Sequence, residues 1–202
     1  SKRLLAQWPP IIRLDLSGDI GGEILKVQIW KNEVEAFEVN PAYSSWFSER
    51  LNLKCKLVFF PEKNLRDIDP EFAENKEQVS LSDGYPILII GQSSLDELNK
   101  KLEQPVPINR FKPNLVFTSG IAHEEDTWKN FKVRTVDFEG VKPCGRCVLT
   151  TVNQETGEKG LEPLKTLSTY RKQNGKVNFG ENVIARSTGE IKIGDLIEIV
   201  DY

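Results

Sequence analysis

No stretch of the sequence approaches the roughly 18 uninterrupted apolar residues that a membrane-spanning helix needs. The longest apolar run is Pro86-Ile87-Leu88-Ile89-Ile90, so no helical membrane span is expected. Basic residues are not in excess either: 27 Lys and Arg stand against 30 Asp and Glu, a formal net charge of −3. General nucleic-acid binding rests on broad phosphate neutralisation by clustered cations, and this balance argues against it. Cysteine and histidine are scarce, with three and one respectively. An odd, sparse set of cysteines is unlike the dense, even framework of a disulfide-stapled secreted domain and fits free thiols in a reducing compartment. The opening Ser1-Lys2-Arg3-Leu4-Leu5-Ala6-Gln7-Trp8-Pro9-Pro10 lacks a long apolar region before a small-residue cleavage site, so the expected location is the cytoplasm. G-x-S-x-G, H-E-x-x-H and P-loop patterns are all missing, which removes the common hydrolase and NTPase readings.

What is present is ordinary folded-protein composition: 202 residues, 39% hydrophobic and 28% charged, enough for one or two modest domains. Short β-like runs at 11–16, 24–30, 34–39 and 54–60 predict a small antiparallel unit at the start. Between the last two, Tyr43, Trp46, Phe47 and Leu51 recur at helical spacing behind Asn40 and Pro41, a cap followed by a helix-starting proline. The charged run 61–76 reads as a solvated connection and places a domain boundary there, giving domains 1–75 and 76–202.

Beyond the boundary, a turn at Asp83-Gly84-Tyr85-Pro86 precedes an apolar strand. Ser94-Leu95-Asp96-Glu97 then reads as a capping box, opening a helix that turns Leu95, Leu98 and Leu102 inward. Further strands are predicted at 115–118, 131–138, 147–152, 182–186 and 196–200, with one helix near 161–171 and a hairpin-like turn at 187–190. The expected fold is mainly β, a barrel with a few covering helices, plus the smaller N-terminal β domain.

Chemistry concentrates at Lys142-Pro143-Cys144-Gly145-Arg146-Cys147. The Cys-x-x-Cys spacing admits half of a tetrahedral zinc site, but Cys55 and His123 are not in paired ligand spacing to supply the other half. It admits a redox pair, which wants a helix N-terminus where the predicted strand at 147 offers none. It also admits a single thiolate, flanked by Lys142 and Arg146, presented to a soft metal, and the plain alternative of two packed structural cysteines. Asn109-Arg110-Phe111-Lys112-Pro113-Asn114 places two cations around an aromatic before a strand, a cluster able to hold a phosphate or an anionic ring edge, or simply an exposed basic turn. His123-Glu124-Glu125-Asp126-Thr127-Trp128 sets one His beside three carboxylates and reads best as a helix start with a buried Trp.

Taken in order, Ser82-Asp83-Gly84-Tyr85-Pro86, Ser94-Leu95, Arg110-Phe111-Lys112-Pro113-Asn114, Glu125-Asp126-x-Trp128, Cys144-x-x-Cys147 and Phe179-Gly180-x-Asn182 resemble the MOSC family, over about residues 80–200. Residues 1–75 resemble the family's companion N-terminal β-barrel domain. The resemblance implies a β barrel that binds molybdenum cofactor, with Cys147 as the protein ligand of molybdenum and catalytic residue. It further implies that Asp83, Gly84, Tyr85, Lys112, Asn114, Gly145 and Arg146 contact the pterin or its phosphate; Arg110 is added from its charge. Relatives carry an Arg where Gln7 or Trp8 stands, and begin with a strand that lies before Ser1 here. No cysteine follows Cys147, so no iron–sulfur cluster is expected within this chain.

The function implied is a molybdenum-cofactor oxidoreductase that reduces small N-hydroxylated compounds with electrons from a ferredoxin-like, flavodoxin-like or cytochrome-type partner. The alternative within the family is a cofactor carrier, or sulfurase-type binding module, without its own turnover. Neither a nucleic acid nor a membrane is an expected partner.

Overall fold

The computed structural model describes residues 22–72, 77–82 and 84–201. The expected strand at 11–16, the Gln7 and Trp8 positions and Asp83 lie outside them. The chain divides into two compact units: one runs up to Asp67 and includes Gln78–Leu81, and the other comprises Ile68–Glu77 and the residues from Ser82 on.

In the first unit, β1 (Ile24–Ile29) and β2 (Asn32–Glu38) form a hairpin in which Ile29 pairs with Asn32, and Trp30 takes the positive φ (54°) that a tight two-residue turn demands. β3 (Val58–Phe59) adds to β2 through Phe37–Phe59. Helix α1 (Pro41–Leu51) starts as expected: the Asn40 side chain accepts from the Ala42 amide at 2.8 Å, with Pro41 in the first turn. Leu51 is exposed, and Ser44 is the residue it buries. The reason is that α1 docks through serine hydroxyls. Ser48 Oγ accepts from the Cys55 amide (3.0 Å) and donates to the Cys55 carbonyl (2.9 Å), while Ser44 Oγ accepts from the Leu57 amide (3.2 Å). Backbone groups committed to serines are unavailable to a ladder, so the run at 54–60 yields only the two residues of β3.

The second unit is built on a curled half-barrel sheet of order β10-β6-β7-β9-β4-β5, with β8 (Lys172–Gln173) pairing on β9. Its strands are β4 (Ile87–Gly91), β5 (Leu115–Phe117), β6 (Asn130–Val133), β7 (Val136–Gly145), β9 (Lys176–Ala185) and β10 (Ile197–Asp201). Helices α2 (Gln92–Lys101) and α3 (Leu164–Tyr170) complete it, and the chain is mainly β as expected. Successive residues on β4 serve two cores. Ile89 joins Phe117, Trp128, Phe131, Phe138 and Val183, whereas Ile90 joins Leu95, Leu98, Leu102, Phe111, Leu167 and Phe179 under the helices. The sheet is therefore apolar on both faces.

Four expectations shift. The run 131–138 is two strands, β6 and β7, joined by a two-residue turn with Arg134 at φ 56°. Residues 187–190 do not make a hairpin: β10 pairs with β6 (Ile197–Val133), and Ser187 instead bonds Asp137 on β7. Ser94 does not cap α2, which starts at Gln92; its hydroxyl is used elsewhere, as described below. Within the charged run, Arg66 and Ile68 are buried (4% and 2% exposed), and Asp67 bridges to Gln78. Most of the other described residues of the run are exposed, as expected of a solvated segment.

Candidate cofactor site

β7 and β9 pair from Phe138–Ala185 to Gly145–Asn178, with register shifts between Gly140 and Lys142 and between Pro143 and Gly145. Such irregularities bend a strand and re-aim its end. The pairing finishes when the Arg146 amide donates to the Val177 carbonyl at 2.7 Å, and the chain then leaves the sheet at Cys147. The strand expected at 147–152 is a one-turn 3₁₀ helix, Val148–Thr151, with Cys147 at its N-cap. The threonines cause this, because Thr150 Oγ1 donates to the Cys147 carbonyl (3.0 Å) and Thr151 Oγ1 to the Val148 carbonyl (2.7 Å). Local side-chain bonds to the backbone compete with β pairing. Both threonines are buried, whereas Cys147 is exposed.

Arg146 ties this turn to the basic segment. Its Nη1 lies 3.0 Å from Cys144 Sγ, its Nη2 donates to the Phe111 carbonyl at 2.7 Å, and its guanidinium sits 5.5 Å from the centroid of the Phe111 ring. Phe111 is fully buried and packs on Phe179 with centroids 4.3 Å apart, which anchors the whole segment in the core under the helices. Arg110 Nη1 donates to the Thr150 carbonyl (3.3 Å). Lys112 is exposed at φ 51°, the left-handed position that closes the 3₁₀ turn Ile108–Arg110. Arg110, Lys112, Gly145, Arg146 and Cys147 are thus brought to one place.

Of the remaining expected contacts, Asn114 and Tyr85 already have partners within the protein. Asn114 Oδ1 accepts from the Leu88 amide at 2.9 Å while the Asn114 amide donates to the Leu88 carbonyl, a clamp where β4 and β5 begin. The Tyr85 ring lies 4.7 Å below Lys142 Nζ and 6.0 Å from Phe72, and burial raises its hydroxyl pKa. Gly84 is exposed with open space where a side chain would project. Beside Arg110 and Thr151 runs a groove of about 790 Å³ between 103–110 and 151–162, lined by charged and amide side chains. Among the described residues no three His, Cys, Asp or Glu side chains converge as metal ligands.

A second polar cluster was not expected. Glu125 is fully buried in the 3₁₀ turn Glu124–Thr127, accepting from Ser94 Oγ at 2.8 and 2.9 Å and from the Gly91 amide at 3.2 Å. Ser94 Oγ in turn accepts from the His123 amide (2.8 Å), which explains its absence from the helix cap. Asp126 forms an ion pair with Arg171. Glu181 on β9 is 4% exposed, and its pKa is pushed up to about 9 by burial, then by Asp126 and Glu125, against the pull of Arg171. The available sequence signal was the one carboxylate of a strand that also carries Val177, Phe179, Val183 and Ile184.

The MOSC domain family matches residues 76–198, and the chain belongs to that family. It is similar to the mitochondrial amidoxime-reducing component 1 of Homo sapiens, with 32% identity over 98% of this chain and 62% of that protein. To the mitochondrial amidoxime reducing component 2 of Bos taurus it is 34% identical over 81% of this chain and 52% of the other. The molybdenum cofactor sulfurase of Oryza sativa subsp. japonica is 27% identical over 77% of this chain and 21% of its own length. The chain therefore spans about three fifths or less of these relatives. A crystal structure of YiiM from Geobacillus stearothermophilus aligns with a TM-score of 0.43 at 15% identity, covering 58% of this chain and 55% of that one, too slight a likeness to add weight.

Proposed function

We propose that the chain is a molybdenum-cofactor-dependent oxidoreductase that reduces small N-hydroxylated compounds with electrons from a partner protein. The observation that carries this is the exposed Cys147 just beyond the end of β7, in a turn that Arg146 ties to the Phe111 carbonyl, next to Lys112, and that Arg110 holds through the Thr150 carbonyl. The residues fit such a group. A cysteine sulfur suits a soft metal, and flanking cations suit a pterin phosphate. Cys147 would hold the metal; Lys112, Arg110, Arg146 and the backbone at Gly145 would hold the anionic part, with Asp83, Gly84, Tyr85 and Asn114 at the pterin. When bound, the cofactor supplies two-electron redox chemistry at oxygen, which no side chain of this chain can.

The net reaction breaks the N–O bond: R–NHOH, two electrons and two protons give R–NH2 and water. The electrons come from a ferredoxin-like, flavodoxin-like or cytochrome-type donor. The groove beside Arg110 and Thr151 offers room for a small polar substrate. The likeness to part of a molybdenum cofactor sulfurase supports a second reading, a cofactor-binding module without turnover.

Protein produced in a cofactor-competent host should contain molybdenum and pterin and should reduce an aromatic amidoxime with an artificial electron donor. Cys147→Ser should lose the metal and all turnover. A serine variant that keeps its molybdenum would remove Cys147 as ligand. Metal-loaded protein without turnover would leave the carrier reading standing.

A further inference from the structure

Five buried polar atoms without a hydrogen-bond partner gather around the Asp126–Arg171 pair: both ring nitrogens of His123, Asp126 Oδ1, the Tyr170 hydroxyl and Glu181 Oε2. The His123 ring lies 5.9 Å from those of Tyr170 and Phe179, and Asp126 and Arg171 act electrostatically on both His123 and Glu181. Buried polar groups in folded proteins almost always find partners, and where the protein supplies none, ordered water does. We propose that His123, Asp126, Tyr170 and Glu181 enclose an internal site for ordered water, and that this hydrated site braces the β9 segment from which the cysteine turn hangs. Val177 on that segment receives the Arg146 amide, Asn178 is bonded to Arg171 at both its amide and its carbonyl, and Phe179 supports Phe111. The water site and the cysteine turn thus share five consecutive residues of one strand, Val177 to Glu181.

The surroundings favour the uncharged forms of Glu181 and His123. Glu181 faces Glu125 and Asp126 from the 3₁₀ turn and Arg171 from the end of α3, while β4 and β7 set Ile89 and Pro143 opposite it. His123 faces Arg171, Asp126, and Glu97 and Lys101 of α2, and burial lowers its pKa below the ordinary 6.5. A neutral Glu181 both donates and accepts, which suits a water partner.

Two measurements test this. A crystal structure near neutral pH should show water bonded to Glu181 and to His123 or Tyr170; a dry site in which these side chains bond one another directly overturns the proposal. The second is melting temperature against pH for the wild type and Glu181→Gln, a neutral isostere. Glu181 binds a proton in the fold up to about pH 9 but, unfolded, only up to its ordinary 4.5, so the native state holds more protons between these values. The contribution of Glu181 to stability falls as pH rises through that window, so the wild type should lose melting temperature relative to the glutamine variant and melt below it at the alkaline end. Hydrogen exchange at Arg146 and at Val177 to Glu181 should speed up in the wild type relative to the variant over the same range. Parallel melting curves, or exchange confined to the Glu124–Thr127 turn, would refute the bracing.

Discussion

Two polar regions share the β7–β9 pairing and are built from opposite chemistry. Around Cys144–Cys147 the side chains are exposed or half-buried, the charges are cationic, and the Cys147 side chain is exposed. Around Glu181 the groups are buried or half-buried, three of them are carboxylic, and two of these carboxyls, Glu125 and Glu181, have raised pKa values. Exposed charge is cheap to hold and free to meet a ligand; buried charge is costly and is either paired, as in Asp126–Arg171, or neutralised, as at Glu181. Under the proposed function the first region would bind, and under the inference above the second would hold the strand that carries it. Phe111 and Phe179 stand between them, one touching Arg146 and the other His123.

The largest expected effect comes from breaking that link. Phe179 is fully buried against Phe111, and Phe179→Ala should cost about 3–5 kcal/mol in urea unfolding, through lost burial and the cavity left behind. If the two regions are independent, only the His123 side should loosen. Coupled regions should also expose Cys144 to alkylation faster than in the wild type.

A smaller effect belongs to Arg146→Lys. The guanidinium makes two directed contacts, to Cys144 Sγ and to the Phe111 carbonyl, and a lysine ammonium on a different stem does not reproduce that fork. Leaving a half-buried carbonyl unpaired costs about 1–3 kcal/mol, read by the same unfolding measurement. The Glu181 pH dependence should persist in this variant, since Arg146 reaches the strand through its backbone amide. Its disappearance would mean the two regions are one electrostatic unit.

Much of this architecture could be read in the sequence where local chemistry decides. Asn40 followed by Pro41 marks the start of α1, and the alternation through 24–38 marks the hairpin. Reading failed where a distant partner or a side-chain bond overrides local pattern. β-branched Thr150 and Thr151 look like strand residues, yet their hydroxyls bond carbonyls three residues back and close a 3₁₀ turn. The segment 187–190 resembles a hairpin turn, but the last strand finds β6, far earlier in the chain. Ser94 fits a capping box until Glu125, brought in by the fold, takes its hydroxyl. In the candidate site, residue types drew attention to the Cys144–Cys147 pair and the basic turn, and the family resemblance singled out Cys147. The link between them through the Phe111 carbonyl belongs to tertiary structure alone, as does the burial of Glu181, because a charged residue is expected outside.

The smallest effect on stability should be the most telling about function. Lys112 is exposed, projects from a left-handed turn position, and lies next to the Phe111 carbonyl that Arg146 grips. Lys112→Ala removes no packed atom, so its unfolding free energy should stay within about 0.5 kcal/mol of the wild type. If the exposed region exists to hold an anionic cofactor, the same variant should carry less molybdenum and pterin after purification. The loss should deepen at higher salt, because an exposed cation acts on a phosphate through a screened field. A variant that is equally stable and equally loaded would assign Lys112 to solvation and leave Arg110 and Arg146 as the cations of the site. A variant that is stable but poorly loaded would separate, within one strand-end, the residues that make the fold from those that use it.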